Sequence, residues 1–339
     1  MEEYISFDSH KHYTLAEREN TKTFKVVQQR INHKRGAIRT YLKQVEAGSE
    51  VAVEATGNWY WIVDEIEAAG CQARLVHPRK AKLMMGMINK TDSLDVHGLN
   101  RLQRNQTLPT VWLPSAELRD LRELTRTRMV MVQQRIRLKN RISATIAKYG
   151  LSTTRYSDTY GVGGQKELRG LLEQLPPHTQ GVSRMLLDQL NYLEIQVKVL
   201  EKRLEQLIEL NEEMKLLMSL PGVGKILAAT ILLEVGTMSR FNDAERLASY
   251  SGTTPRVISS GDKTRYGRLR KDVNQCLKWA YSEAGNSVAV NHVRRPERHV
   301  SVLYKRIRQR KGHAVAVGAV ARHLAEATYH ILSRKQNYR

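Results

Sequence analysis

Three short stretches decide the N-terminal fold of this sequence: YISFD at residues 4–8, VAVE at 51–54 and ARLV at 73–76. Each is an apolar, strand-length run. A helix is predicted between the last two, beginning at residues 57–58 and ending at Gly70. A further strand is expected near residues 24–27 and a helix over 32–46. Because strands alternate with helices, residues 1–150 are predicted to form an α/β domain with a partly parallel sheet.

Four acidic residues stand at the ends of these elements. Asp8 and Glu54 each close a predicted strand, and Asp92 and Asp95 open a predicted helix, where a spacing of three places them on one side. Carboxylates repel one another unless a cation offsets their charge, and Mg²⁺ prefers oxygen ligands. The pattern predicts a two-metal Mg²⁺ site of the RNase H-like type, with Mn²⁺ as the alternative ion. Taken singly, each acid is better explained as a structural strand-end or helix-start residue than as a catalytic one.

The charge of the chain indicates its class of partner. Its 339 residues include 55 Lys and Arg against 34 Asp and Glu, a formal net charge of +21. Such a charge favours a polyanion, because each neutralised phosphate releases a counterion. We therefore expect nucleic acid, with another kind of basic protein as the alternative. Residues 115–149 are predicted to form one long basic helix. The basic residues of this helix expected to contact nucleic acid are Arg126, Arg128, Arg135, Arg137, Lys139 and Arg141.

Two cysteines and the absence of targeting signals indicate a cellular interior. Cys71 and Cys276 are far apart and form no metal-binding or disulfide pattern. The first residues are acidic and lack the apolar run of a signal peptide. No apolar stretch approaches the roughly 20 residues that a membrane helix needs. A cytoplasmic protein of a bacterium or archaeon, associated with the nucleoid when it acts, is expected.

The middle of the sequence, residues 151–215, combines a predicted linker at 152–165 with a heptad repeat over 186–214. Its apolar positions alternate in steps of four and three: Leu186, Leu190, Leu193, Val197, Leu200, Leu204 and Leu207. This spacing is typical of a coiled-coil seam. We expect the seam to join two copies of the chain; an internal antiparallel helix pair is the alternative.

Residues 216–339 are predicted to be mostly helical. The string LPGVGK at residues 220–225 precedes an apolar helix and matches a helix-hairpin-helix-like motif. Backbone N–H groups at such a helix start bind phosphate, so Gly222, Gly224 and Lys225 are expected to contact nucleic acid. An ordinary helix–helix turn is the alternative. Further along, Arg306, Arg308 and Arg310 are expected to contact a nucleic-acid backbone.

Several strings together resemble one known family. FDSHK at residues 7–11, VEATGN at 53–58 and KTDSLD at 90–95 resemble the DEDD transposases of the insertion-sequence-110 family, to which the pilin-gene invertase Piv is related. LPGVG at 220–224 and SGTTPRVISSG at 251–261 resemble the transposase domain of the same family. The resemblance spans nearly the whole chain and implies a RuvC-like domain, a coiled coil and a helical transposase domain in that order.

The resemblance also implies a mechanism. It implies that the four acids bind the metal ions and that Ser260 attacks a DNA phosphodiester to form a phosphoserine; Ser259 is the adjacent alternative and Ser251 a distant one. Strand exchange through a Holliday-junction-like intermediate, guidance by a bridge RNA that pairs with target and donor DNA, and an active tetramer are implied as well. The basic residues near Ser260 that suit phosphates are Arg256, Lys263, Arg265, Arg268, Arg270 and Lys271.

Two other functions fit parts of the pattern. A hydrolytic RuvC-like nuclease or junction resolvase needs the four acids but neither Ser260 nor RNA. A non-enzymatic coiled-coil protein that binds RNA or DNA needs only the basic residues. Substitution of Ser260 separates the recombinase from the nuclease, and substitution of Asp92 separates both from the binding protein.

Overall fold

The computed structural model of the chain describes residues 3–86, 89, 91–153, 155–208, 211–261 and 263–339. Its internal contacts divide the chain into two units, Met1–Ala116 and Glu117–Arg339. The long basic helix assigned from sequence to the first domain lies almost wholly in the second unit. The predicted functional division at residues 150 and 215 stays a prediction.

A five-stranded sheet forms the centre of the first unit. Its order is β3-β2-β1-β4-β5, in which β1, β2 and β3 run antiparallel and β1, β4 and β5 run parallel. The strands are β1 (Glu3–Ser9), β2 (Tyr13–Asn20), β3 (Val26–Asn32), β4 (Glu50–Glu54) and β5 (Gln72–Val76). The α/β class and the three strands quoted first are therefore confirmed.

Alternation along the strands sends neighbouring side chains to opposite faces of this sheet. Phe7 and Val53 are fully buried against α1 and α2, whereas Ala52 packs with α3 and α4 on the other face. The helices are α1 (Ala37–Leu42), α2 (Trp59–Ala68), α3 (Pro78–Met85) and α4 (Asp92–Arg104). Asp8 and Glu54, one residue beyond Phe7 and Val53, accordingly belong to the face that α4 covers.

The structure differs from the sequence prediction in two places within residues 13–46. Strand β2 was not foreseen, because its apolar pattern is interrupted by Glu17 and Glu19. Both glutamates are almost fully buried and paired, with His97 at 3.0 Å and with Arg104 at 2.7 Å. The predicted helix over 32–46 is reduced to α1, because the chain up to residue 32 is paired as β3.

The second unit is mostly helical, as predicted. Its helices are α5 (Ala116–Lys148), α6 (Val162–Leu172), α7 (Pro177–Ile208), α8 (Glu212–Leu217), α9 (Lys225–Val235), α10 (Ala244–Tyr250), α11 (Gln275–Asn291), α12 (His299–Lys311) and α13 (His313–Arg334). A hairpin of β6 (Pro255–Ser260) and β7 (Lys263–Leu269) interrupts them. Helix α6 begins inside the predicted linker. Among the described residues, no helix combines the length and apolar character required to cross a membrane.

The heptad seam is covered within a single chain. Leu190, Val197 and Leu204 on α7 are at most 2% exposed. Leu190 packs with apolar residues of α5 and α6, and Leu204 belongs to the main core of the unit. Ion pairs Arg128–Glu201 at 2.5 Å and Lys139–Glu194 at 3.2 Å join α5 and α7 in antiparallel order. The structure thus has the internal helix pair, and self-association stays a prediction.

A buried ionic cluster joins α5, α9 and α11. The fully buried Glu234 carboxylate accepts hydrogen bonds from Arg126 Nε at 2.6 Å and Nη2 at 2.9 Å, and from Asn274 Nδ2 at 2.8 Å. Arg122 donates to the carbonyl oxygens of Leu233 and Glu234. Burial alone would raise the pKa of the Glu234 carboxyl, but the hydrogen bonds and charge of Arg126 hold that pKa below its usual 4.5. The cluster therefore stabilises the unit in its ionised form.

We expect Glu234→Gln to lower the free energy of unfolding of the second unit by about 3 kcal/mol, since breaking a buried pair leaves uncompensated charge. The pKa is depressed in the folded state, so the ionic stabilisation is complete above pH 4.5 and is lost as the pH falls below that value. Urea unfolding, monitored by amide hydrogen exchange in α9, measures the difference in unfolding free energy between the variant and the native chain. This difference should become smaller below pH 4.5. The control is Glu326→Gln, which removes a partly exposed pair with Arg322 and should cost under about 1 kcal/mol. Equal losses for the two variants would contradict the stabilising role of Glu234.

Candidate active site

The ends of β1 and β4 bring two of the predicted acids to the same edge of the sheet. The two strands pair in parallel with Phe7 opposite Val53, so Asp8 and Glu54 are the next neighbours in register. Both side chains lie on the face covered by α4. Asp8 is only 8% exposed, and Glu54 is half-buried.

Helix α4 contributes the other two acids from its first turn. The helix begins at Asp92, and the hydroxyl of Thr91 caps it by accepting a hydrogen bond from the backbone N–H of Leu94 at 3.2 Å. Ser6 Oγ donates to the carbonyl oxygen of Val96 at 2.9 Å and fixes α4 against β1. The predicted helix start is confirmed, and the first turn lies beside the end of β1.

A histidine completes the cluster. His10 Nε2 lies 3.1 Å from Asp8 Oδ2 and 3.2 Å from Asp92 Oδ2. One possible ligand atom from each of these three residues lies within 4.8 Å of the other two. Tyr13 donates from its hydroxyl to Asp92 Oδ2 at 2.5 Å, and Asn58 Nδ2 donates to the carbonyl oxygen of His10 at 2.7 Å. The loop after β1 is thus held over the acids.

The electrostatics around Asp8 favour a cation. Burial raises the pKa of its carboxyl; His10 lowers it, and the charges of Asp95 and Asp92 raise it again. Asp8 Oδ2 is buried, and His10 Nε2 lies 3.1 Å from it without the alignment of a regular hydrogen bond. A buried carboxylate oxygen among other carboxylates and an imidazole offers the kind of ligand atoms that a divalent cation binds.

The structure therefore brings Asp8, Asp92 and His10 into direct contact. Asp95 is close enough to act on the charge of Asp8, and Glu54 adjoins Asp8 in the sheet. His10 stands in the FDSHK string, but no role was predicted for it from sequence. The sequence feature that could have indicated a role for His10 is its position two residues after the strand-end Asp8. At that spacing a side chain of the following loop can lie at the same edge of the sheet. Tyr13 was missed because β2 was missed.

Ser260 lies in the second unit, at the end of β6. It pairs with Lys263 in the hairpin, and the intervening turn contains Gly261 at φ 56°. The side chain is exposed, and no hydrogen bond joins its hydroxyl to any described residue. Ser259 Oγ is instead 3.3 Å from Thr264 Oγ1. Ser251 is fully buried. Ser259 and Ser260 are both exposed, and they differ in that Ser259 Oγ has Thr264 as a hydrogen-bond partner.

The hairpin presents many of the predicted cations to solvent. Arg270 forms an ion pair with Asp272 at 2.9 Å. The remaining exposed basic residues of the hairpin and its flanks are Arg256, Lys263, Arg265, Arg268 and Lys271. This hairpin was not foreseen in a region predicted to be helical, because its two strands are largely exposed and contain no apolar run of strand length.

The predicted contacts on α5 divide into two sets. Arg126, Arg128 and Lys139 are engaged in ion pairs with acids of α9 and α7. Arg137 and Arg141 are exposed, and Arg135 is half-buried. The sequence showed only the local excess of positive charge, since the compensating acids come from distant parts of the chain.

The LPGVG turn is shaped by packing. Gly222 has φ 80°, and a Cβ there would lie 2.4 Å from the carbonyl oxygen of Ala284, so only glycine fits. Gly224 caps α9, and Lys225 makes an exposed ion pair with Glu205 at 3.5 Å. Arg306, Arg308 and Arg310 on α12 are exposed. Nucleic-acid contact by these residues stays a prediction.

Comparison with known proteins gives matches over both halves of the chain. Residues 7–150 match the model of the DEDD transposase of the IS110 type, and residues 214–300 match that of the transposase IS116/IS110/IS902 family. The chain is 25% identical over 317 residues to a probable family 20 transposase of Pseudomonas aeruginosa, with 90% of each chain covered. It is also 25% identical to the transposase for insertion sequence element IS1111A of Coxiella burnetii, covering 85% of this chain and 79% of that one.

Proposed function

Because the chain belongs to the IS110/IS116/IS902 family of transposases, which cleave and transfer DNA strands, we propose that it recombines DNA with two catalytic parts. One part is the acidic site of the first unit and the other is Ser260. The observation that carries the proposal is the convergence of Asp8, Asp92 and His10, one possible ligand atom of each lying within 4.8 Å of the other two around the buried Asp8 carboxylate.

We assign the first unit to the RNase H-like, RuvC-like fold. The mixed sheet, the acids at the ends of β1 and β4, and the acidic first turn of α4 support this assignment. Asp8, Glu54, Asp92 and Asp95 would hold Mg²⁺, with His10 beside them. The ion would supply Lewis-acid stabilisation of charge on phosphate oxygens. Tyr13 orients Asp92 through its hydrogen bond, and α4 fixes the spacing of the acids.

Ser260 acts as the nucleophile in this proposal. Its Oγ forms a bond to phosphorus, and the bond from phosphorus to the departing deoxyribose oxygen breaks. The serine proton leaves to a base, and the departing oxygen gains a proton. A deoxyribose hydroxyl of the exchanged strand then attacks the phosphoserine and releases Ser260. Because the phosphate ester is kept as a phosphoserine and is not hydrolysed, the broken strand can be rejoined without another energy source. In this proposal the exchange passes through a Holliday-junction-like intermediate.

We further propose target and donor DNA as substrates, a structured bridge RNA as guide, and a tetramer as the active form. The net charge of +21 and the exposed cations around Ser260 support a nucleic-acid complex. The acidic site and Ser260 belong to different units, which is compatible with their being supplied to one reaction by different protomers.

The test combines purified protein with RNA transcribed from the flanks of its gene and with donor and target DNA. Strand-exchange products are expected only when both the RNA and Mg²⁺ are present, and EDTA should abolish them. Hydrolysed ends formed without RNA would instead indicate a RuvC-like nuclease. Binding without any metal-dependent product would indicate a protein that only binds nucleic acid.

A further inference from the structure

A concave basic surface of about 1200 Å³ lies between the edge strand β3 and helix α1. We call it the β3 groove. No aspartate or glutamate is among its lining residues. Its five cationic side chains, all exposed, are Arg30, Lys34, Arg35, Arg39 and Lys43. No role was predicted for them from sequence, because they are divided among a strand, the loop after it and a short helix.

The charge of the groove is not compensated within the described part of the unit. None of the five cations forms an ion pair with a described carboxylate. The adjacent Glu65 is engaged otherwise: its carboxylate accepts hydrogen bonds from the backbone N–H groups of Gly36, Ile38 and Arg39 at the start of α1. Five like charges in one concavity repel one another, so a polyanion that neutralises them binds favourably.

One lining residue of the groove, Arg30, also borders the acidic site. The guanidinium of Arg30 lies over the ring of Tyr13, 3.8 Å from its centroid. The hydroxyl of that same Tyr13 donates to Asp92 at 2.5 Å. A DNA strand whose phosphates reach Asp92 would therefore contact Arg30 at the edge of the sheet. The other four cations lie beyond Arg30, in the loop after β3 and along α1, which packs on the opposite face of the sheet, so the strand would pass around the edge strand to meet them.

We propose that the β3 groove binds the DNA strand cut at the acidic site, holding the phosphates next to the scissile bond. The inference rests on the proposed function, because it takes the acidic site as the place of cleavage. DNA is favoured over the guide RNA because the DNA strand that is cut must pass Asp92. The phosphates next to the scissile bond must then lie within a few side-chain lengths of Asp92. A guide strand has no such requirement. Phosphate contacts of this kind fix the register of the strand rather than its sequence.

The test measures DNA binding in EDTA, so that no catalysis is required. The triple variant Arg35→Ala, Arg39→Ala, Lys43→Ala is compared with the native chain on labelled DNA spanning the element's junction, across a series of salt concentrations. Each lost phosphate contact should reduce the slope of log K against log salt by about 0.9. We expect the slope to fall by roughly 2 to 3. The single variant Arg35→Gln, which disturbs no packing, should lower it by about 1.

The matched control removes the same charge elsewhere. Lys198, Lys202 and Arg203 are exposed on α7, and their triple alanine variant should leave the slope nearly unchanged. Equal slopes for the groove variant, the control and the native chain would overturn the proposal. Loss of binding to the flanking RNA, with the DNA slope intact, would overturn it too and make the groove an RNA surface. Because the assay needs no cleavage, a failure of the proposed chemistry alone would leave the slope change in place.

Discussion

Replacement of Asp8 by asparagine is expected to reduce DNA cleavage by roughly 10³-fold, because a metal contributes several kcal/mol and each factor of ten corresponds to about 1.36 kcal/mol. Asparagine keeps the shape of the side chain but removes the charge that lies 3.1 Å from His10 Nε2 and beside Asp92. The measurements are the cleavage rate in Mg²⁺ and the affinity for Mn²⁺ by electron paramagnetic resonance.

Glu67→Gln is the control for Asp8→Asn. Glu67 is an exposed carboxylate on α2 of the same unit, so its loss changes the net charge equally and should leave both measurements unchanged. If Asp8→Asn cleaved DNA at the native rate and bound Mn²⁺ with the native affinity, the acids would be structural, which is the alternative explanation of each acid taken singly.

The second large effect is expected for Ser260→Ala, which should reduce strand cleavage by about 10⁶-fold, the order found when a serine nucleophile is removed. Ser260 is exposed at the end of β6 and contributes to no buried core, so the variant should fold normally. Its Mn²⁺ affinity should equal that of the native chain, because the acidic site lies in the other unit.

Ser259→Ala is the matched control, since Ser259 is the neighbouring residue of the same strand and its Oγ lies 3.3 Å from Thr264 Oγ1 across the hairpin. Strand exchange should persist in this variant. The opposite pattern, with activity lost in Ser259→Ala and kept in Ser260→Ala, would move the nucleophile by one residue and change which face of the hairpin meets the DNA.

Local sequence patterns predicted the parts of the acidic site that depend on strand and helix ends. The apolar runs before Asp8 and Glu54 are buried strands, and the capping Thr91 marks the start of α4. The convergence of these ends follows from the parallel pairing of β1 and β4. The role of His10 depends on the path of a loop, which no periodicity describes.

Charged residues limited the prediction wherever their partners are distant in sequence. Glu17 and Glu234 are fully buried, yet in the sequence they resemble solvent-exposed acids. Arg126 resembles a free cation of a basic helix, but its partner Glu234 lies 108 residues away.

The heptad of α7 correctly predicted a helix with a buried seam, but a seven-residue period does not identify the partner that covers the seam.

The most direct test of the two-part mechanism is the identification of a covalent protein–DNA bond. The protein, its flanking RNA, Mg²⁺ and junction DNA are combined, the reaction is denatured, and adducts are digested and mapped by mass spectrometry. We predict a nucleotide linked to Oγ of Ser260, absent in Ser260→Ala and in Asp8→Asn. Cleaved DNA without any adduct, formed equally by Ser260→Ala, would contradict the account and establish hydrolysis by the acidic site alone.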